Sequence, residues 1–99
     1  MVKEISAKEV QQRIENGEKL NLIDVREAEE VKVGHIPDIT HVPLGLLEIR
    51  KHEFEKSKSY IMVCRSGGRS GQATQYLQSH GFDVTNMTGG MLSWEGEIE

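Results

Sequence analysis

Short apolar runs separated by segments of helical periodicity organise this chain. Residues 20–25 are a short, mostly apolar run and predict a buried strand. Residues 60–63 are apolar without alternation, which is typical of a strand that is covered on both faces. Residues 82–87 alternate between apolar and polar and predict another strand. Residues 40–43 predict a weak strand that ends at its proline, because proline cannot donate to a strand ladder. The pattern thus predicts four strands.

Helical patterns lie between these runs. Ser6 and Glu9 have the spacing of a capping box, and Val10 and Ile14 then share one face of a helix that ends at Gly17. Further helices are predicted over residues 27–32, 44–55 and 69–80. A final short helix is predicted after Gly89-Gly90. Strand and helix therefore alternate along the chain.

Alternation with short connections predicts an α/β fold, with a mainly parallel sheet flanked by helices on both faces. At 99 residues, without repeats, low-complexity tracts or linkers, residues 1–99 are expected to form a single domain. Functional sites in such folds lie at the carboxyl ends of the strands. The residues that follow residues 20–25 and 60–63 are therefore the first candidates.

Composition narrows the function classes. The chain has 12 Lys+Arg against 16 Asp+Glu, a formal net charge of −4, so we expect no nucleic-acid partner. Its amino terminus lacks the apolar core of a signal peptide, and no window approaches the roughly 18 apolar residues of a membrane span. We expect a cytoplasmic monomer without membrane contact.

One cysteine, Cys64, excludes an internal disulfide and a cysteine-rich zinc site. The four histidines show no metal-ligand spacing and are expected to be structural or solvent-exposed: His35, His41, His52 and His80. No metal site is predicted.

Cys64 ends a predicted buried strand and opens the loop Cys-Arg-Ser-Gly-Gly-Arg-Ser, residues 64–70. A thiol is only a few per cent ionised at neutral pH, so a nucleophilic cysteine needs donors or positive charge around it. Gly67 and Gly68 let backbone N–H groups turn inward, while Arg65, Arg69 and the start of a helix add positive charge. The alternatives are a buried structural cysteine, and arginines that are solvated or held in salt bridges.

These motifs resemble those of the rhodanese family. The loop fits Cys-x-x-Gly-x-Arg-Ser, Asp24-Val25-Arg26 with residues 34–37 resembles the early signature, and residues 88–94 resemble the closing one. One departure is Asp38-Ile39, where the family usually has Gly-Ala. If that segment rims the pocket, the added carboxylate would weaken binding of an anionic donor.

The resemblance implies a sulfurtransferase that needs no metal or organic cofactor. The Cys64 thiolate would take the outer sulfur of thiosulfate or a persulfide, hold it as a persulfide, and pass it to a thiol or cyanide. The wall around that sulfur would be Arg65, Ser66, Gly67, Gly68 and Arg69. The partners implied are a small anionic donor such as thiosulfate, or a protein that carries a thiol or persulfide. Asp24 and Arg26 are expected to form an internal ion pair near the site rather than to contact substrate.

Two alternatives have a different chemistry. A thiol phosphatase or arsenate reductase needs Cys-x5-Arg to surround a tetrahedral oxyanion, whereas Cys64 and Arg69 form Cys-x4-Arg. A non-catalytic binding or regulatory module could use the same fold, although an intact Cys64 argues against it.

Overall fold

The sheet contains five parallel strands within residues 2–99, the part of the chain described by this computed structural model. The strands are β1 (Glu4–Ser6), β2 (Asn21–Asp24), β3 (Thr40–His41), β4 (Ser59–Val63) and β5 (Asp83–Thr88). Their order across the sheet is β1-β5-β4-β2-β3, and every neighbouring pair is parallel. The predicted α/β fold with a mainly parallel sheet is confirmed.

Helices connect the strands near the predicted positions. They are α1 (Ala7–Glu15), α2 (Ala28–Val33), α3 (Leu47–Arg50) and α4 (Gly68–Ser79), with 3-10 turns at Leu44–Leu46, Lys51–Glu53 and Gly90–Ser93. α1 begins where predicted because the Ser6 hydroxyl accepts the Glu9 N–H at 3.1 Å, whereas the Glu9 carboxylate binds Arg13. No helix in residues 2–99 has the length and apolar character needed to cross a bilayer.

Two segments differ from the sequence-based prediction. β1 was missed because it is three residues long with one buried apolar side chain, Ile5, and it forms by pairing with β5. The single helix predicted for residues 44–55 is instead a 3-10 turn, the short α3 and a second 3-10 turn. The helical path stops at Phe54, whose backbone is extended and whose ring stacks on Tyr60 at 4.9 Å.

Apolar side chains of β4 fill cores on both faces of the sheet. Met62 and Cys64 belong to a buried cluster that includes Leu77 of α4. Ile61 and Val63 belong to a second cluster that includes Val10 of α1. Burial on both faces explains why residues 60–63 show no polar alternation.

A buried ion pair closes the end of β2. Three hydrogen bonds of 3.0, 3.1 and 2.9 Å join the Arg26 guanidinium to Asp24, and a fourth, of 2.7 Å, reaches the Gly34 carbonyl oxygen. Asp24 is fully buried and Arg26 is nearly so. The predicted internal ion pair is confirmed, and it ties β2 to the end of α2.

Asp38 lies far from the loop that follows β4. It precedes β3 and lines a hollow with Asn21 and Tyr60, near the amino ends of β2 and β4. Cys64 follows the carboxyl end of β4. Asp38 therefore does not rim the cysteine loop, so the condition under which its carboxylate would weaken binding of an anionic donor is not met.

The backbone at Asp38 has a φ of 63°, in the left-handed region. Aspartate tolerates this region, whereas a β-branched side chain does not. We expect Asp38→Val to lower the free energy of unfolding by about 1–3 kcal/mol, and Asp38→Gly to leave it within about 1 kcal/mol. Urea denaturation of the three proteins measures this, and equal stability of the valine and glycine variants would contradict it.

Candidate active site

Cys64 lies directly after β4, at the carboxyl edge of the sheet, and its side chain is almost fully buried. The next residues curl back so that α4 begins at Gly68. Gly67 makes this turn possible with a φ of 106°, which side chains other than hydrogen rarely allow. The loop thereby brings the first N–H groups of α4 to the sulfur.

Hydrogen-bond donors surround the Cys64 sulfur. The Gly67 N–H donates to Sγ at 3.0 Å, and the Ser70 hydroxyl lies 3.2 Å from it. Burial raises the pKa of the Cys64 thiol, but hydrogen bonds from the Ser70 hydroxyl and from the N–H groups of Ser70, Gly67 and Ser66 outweigh it. The net pKa lies below the ordinary thiol value. These donors lower the pKa of the Cys64 thiol, whereas the sequence-based prediction assigned part of that effect to the arginines.

Two side chains of this arrangement were not singled out from the sequence as site residues. Ser70 is fully buried, and its hydroxyl also lies 2.5 Å from Asn86 Oδ1 on β5. Asn86 Nδ2 donates to the Gly67 carbonyl oxygen at 3.2 Å. The available signal was an amide at an inward position of β5, two residues after buried Val84.

Arg69 has a partner that the sequence did not identify. Its guanidinium makes two hydrogen bonds of 2.6 and 2.8 Å to the Glu30 carboxylate on α2. Arg69 in turn lowers the pKa of Glu30 to about 2. The salt bridge that the sequence left open as an alternative for Arg69 is therefore present.

Arg65 differs from Arg69. Its side chain is exposed, and within residues 2–99 its guanidinium forms neither a hydrogen bond nor an ion pair. Arg65 is therefore the loop arginine whose charge is available to a ligand.

The turn Gly90–Ser93 holds the backbone of the cysteine loop through hydrogen bonds. The Met91 N–H donates to the Cys64 carbonyl oxygen at 2.9 Å, and the Leu92 N–H donates to that of Arg65 at 3.0 Å. A Cβ on Gly90 would come within 2.5 Å of the Arg65 backbone. The close approach explains why a glycine stands here in the closing motif.

This arrangement suits nucleophilic chemistry by an anionic sulfur. Hydrogen-bond donors converge on Cys64 Sγ. The histidines form their hydrogen bonds elsewhere, for example between His41 and the Arg26 carbonyl oxygen. No cluster of three or more His, Cys, Asp or Glu side chains within residues 2–99 could hold a metal ion.

Comparison with known proteins gives consistent matches. A model of the rhodanese-like domain family matches residues 6–97. A Bacillus subtilis protein named "Putative sulfurtransferase YtwF" is 45% identical over 99% of this chain and 95% of its own. A sulfurtransferase of Allochromatium vinosum is 39% identical over 95% of this chain and 89% of its own. The crystal structure of a rhodanese-like domain protein from Staphylococcus aureus has a TM-score of 0.93 at 31% identity, covering 99% of this chain and 97% of that one.

The close approach at Gly90 predicts a damaged loop when a methyl group is added. We expect Gly90→Ala to lower the free energy of unfolding by at least about 2 kcal/mol and to slow alkylation of Cys64 by iodoacetamide, because the Arg65 backbone must move. Gly45→Ala is the control, since a Cβ there meets open space. Equal stability and alkylation rates in the two variants would contradict the supporting role of Gly90.

Proposed function

Because the chain belongs to the rhodanese-like domain family, we propose that it is a sulfurtransferase that carries sulfur as a persulfide on Cys64. The observation that supports this proposal most directly is the set of donors around Sγ, with the Gly67 N–H at 3.0 Å and the Ser70 hydroxyl at 3.2 Å. Displacement at sulfur needs a thiolate and a loop that binds an anion.

In the loading step, the Cys64 thiolate attacks the outer sulfur of the donor. A bond forms between Sγ and that sulfur, and the donor's own bond to it breaks. The electron pair leaves with sulfite when the donor is thiosulfate, or with a thiolate when it is a persulfide. The charge then resides on the outer sulfur, where the N–H groups of residues 65–69 are available to stabilise it. Neither product needs a general acid in order to leave.

In the discharge step, the thiolate of an acceptor attacks the outer sulfur, and Cys64 departs as a thiolate. Since Cys64 is the chain's one cysteine, no second thiol of this chain can resolve the persulfide. The acceptor is therefore an external thiol, or cyanide.

Charge near the loop favours one class of donor. Arg69 is neutralised by Glu30, which leaves Arg65 as the loop cation open to a ligand. One free cation can compensate the single charge on a persulfide sulfur, whereas it leaves one charge of dianionic thiosulfate uncompensated as that donor loses water at the loop. We therefore propose a persulfide, on a small thiol or on a carrier protein, as the better donor.

The two alternatives fit these contacts less well. A phosphatase loop uses its arginine to bind phosphate oxygens, whereas Arg69 is engaged with Glu30. A binding module has no need of donors that lower the pKa of a buried thiol.

Intact mass spectrometry tests the proposal. The reduced protein, treated with thiosulfate or with glutathione persulfide, is expected to gain one sulfur atom, and an external thiol is expected to remove it. We expect no gain in Cys64→Ser. The persulfide is expected to load faster than thiosulfate at equal concentration.

Three outcomes would contradict the proposal. The first is that neither donor adds sulfur to the wild-type protein. The second is that Cys64→Ser also gains a sulfur atom. The third is that the loaded protein loses its sulfur in a buffer free of any acceptor. An aryl phosphatase activity that is lost in Cys64→Ser would favour the phosphatase alternative instead.

The Glu30–Arg69 ion pair predicts how donor preference can be changed. In Glu30→Gln the amide can still bind Arg69 but no longer cancels its charge, so we expect the KM for thiosulfate to fall about two- to fivefold. The KM for glutathione persulfide is expected to change less. Glu29→Gln, an exposed neighbour on α2, is the control for the change in net charge. An equal fall in KM in both variants would assign the effect to overall charge.

A further inference from the structure

The Ser70 hydroxyl lies between two hydrogen-bond acceptors and has one proton to give. It is 3.2 Å from Cys64 Sγ and 2.5 Å from Asn86 Oδ1. The orientation of the Asn86 amide follows from its other hydrogen bond, since Nδ2 must face the Gly67 carbonyl oxygen. Oδ1 is therefore an acceptor toward Ser70, and the two acceptors compete for the same proton.

The charge on Sγ decides this competition. A thiolate is a strong acceptor, so it draws the hydroxyl proton to itself. A neutral sulfur is a weak acceptor, and the amide oxygen is then the better partner. In the persulfide the charge lies on the outer sulfur, and Sγ is the neutral inner atom. The hydrogen bond of Ser70 should thus follow the charge.

Nearby charged side chains do not replace this hydrogen bond. Arg69 on α4 is bound to Glu30 of α2, and Arg26 at the end of β2 is bound to Asp24. Ser70 is fully buried, and Asn86 is 5% exposed. Arg65 is exposed, and its guanidinium does not bind Sγ within residues 2–99. The Ser70 hydroxyl is therefore the side-chain donor placed to meet a charge that appears on Sγ.

We propose, on the basis of the function proposed above, that Ser70 is a catalytic residue for the discharge step and that Asn86 is its positioning residue. The acceptor thiolate forms a bond to the outer sulfur, the bond between that sulfur and Sγ breaks, and the electron pair stays on Sγ. As it does so, the Ser70 hydrogen bond switches from Asn86 Oδ1 to Sγ. The hydroxyl proton stays on Ser70 throughout, so no acid, base or oxidant is consumed.

The two half-reactions respond differently to the loss of this hydrogen bond. During discharge Cys64 is the leaving group, and a leaving thiolate without its donor has a higher pKa and leaves more slowly. During loading Cys64 is the nucleophile, and above its thiol pKa the loss of the donor makes it somewhat more nucleophilic. A purely structural role of Ser70 would slow both steps.

The test compares Ser70→Ala with the wild type by rapid quenching and intact mass spectrometry, at a pH where the thiol of each protein is ionised. Discharge to an external thiol is expected to slow about ten- to a hundredfold, the factor that corresponds to the free energy of one hydrogen bond to a charged group. Loading from glutathione persulfide is expected to change less than about threefold. The pH midpoint of Cys64 alkylation is expected to move upward.

Matched variants separate the hydroxyl's role from folding. Thr74→Val removes another buried hydroxyl of α4, which donates to the Ser70 carbonyl oxygen, and is expected to keep the wild-type ratio of the two rates. Ser70→Thr keeps a hydroxyl and is expected to restore part of the discharge rate. If Ser70→Ala fails to fold, the same ratio is measured in Ser70→Thr, whose displaced hydroxyl is then expected to slow discharge more than loading.

Equal slowing of loading and discharge in Ser70→Ala, or an unchanged discharge rate, would overturn the role of Ser70 and leave the proposed function intact. A wild-type protein that never loads sulfur would overturn both.

Discussion

The rest of this structure depends on one requirement: a cysteine sulfur that is almost out of contact with water must be given hydrogen-bond donors. Burial alone would keep the Cys64 thiol protonated, so donors must replace the water that a thiolate loses. Those donors come from the first turn of α4 and from the residues before it. The left-handed Gly67 turns the chain toward the sulfur, Gly90 allows the closing turn to approach the loop, and Asn86 binds the loop from β5.

Fixed dipoles do more than mobile charges at this site. Arg69 follows the cysteine loop directly, yet Glu30 binds its guanidinium, and Asp24 binds that of Arg26. The pair at Asp24 braces the end of β2, and the pair at Glu30 links α2 to the start of α4. A cradle built from N–H groups suits a single sulfur atom, whereas a cradle in which the arginine of the helix start, here Arg69, is free to turn inward suits a larger oxyanion. This difference separates the proposed sulfur chemistry from phosphate chemistry.

Sequence reasoning succeeded where local pattern determines structure. Neighbouring residues were enough to predict the loop at Cys64, the strand before it and the Asp24–Arg26 ion pair. All three also belong to the motifs that resemble one family. It failed where the partner is distant along the chain: Glu30 meets Arg69 across 39 positions, and Asn86 meets Ser70 across 16. β1 was missed for a similar reason, since three residues become a strand only through pairing with β5.

A crystal structure of the protein after treatment with glutathione persulfide tests the central claim most directly, because it shows where the transferred sulfur is held. The account predicts one additional sulfur bonded to Cys64 Sγ and within hydrogen-bond distance of the N–H groups of residues 65–69. It also predicts that the Ser70 hydroxyl stays beside Asn86 Oδ1. A transferred sulfur that points into solvent or lies against a guanidinium, away from the loop N–H groups, would contradict the account.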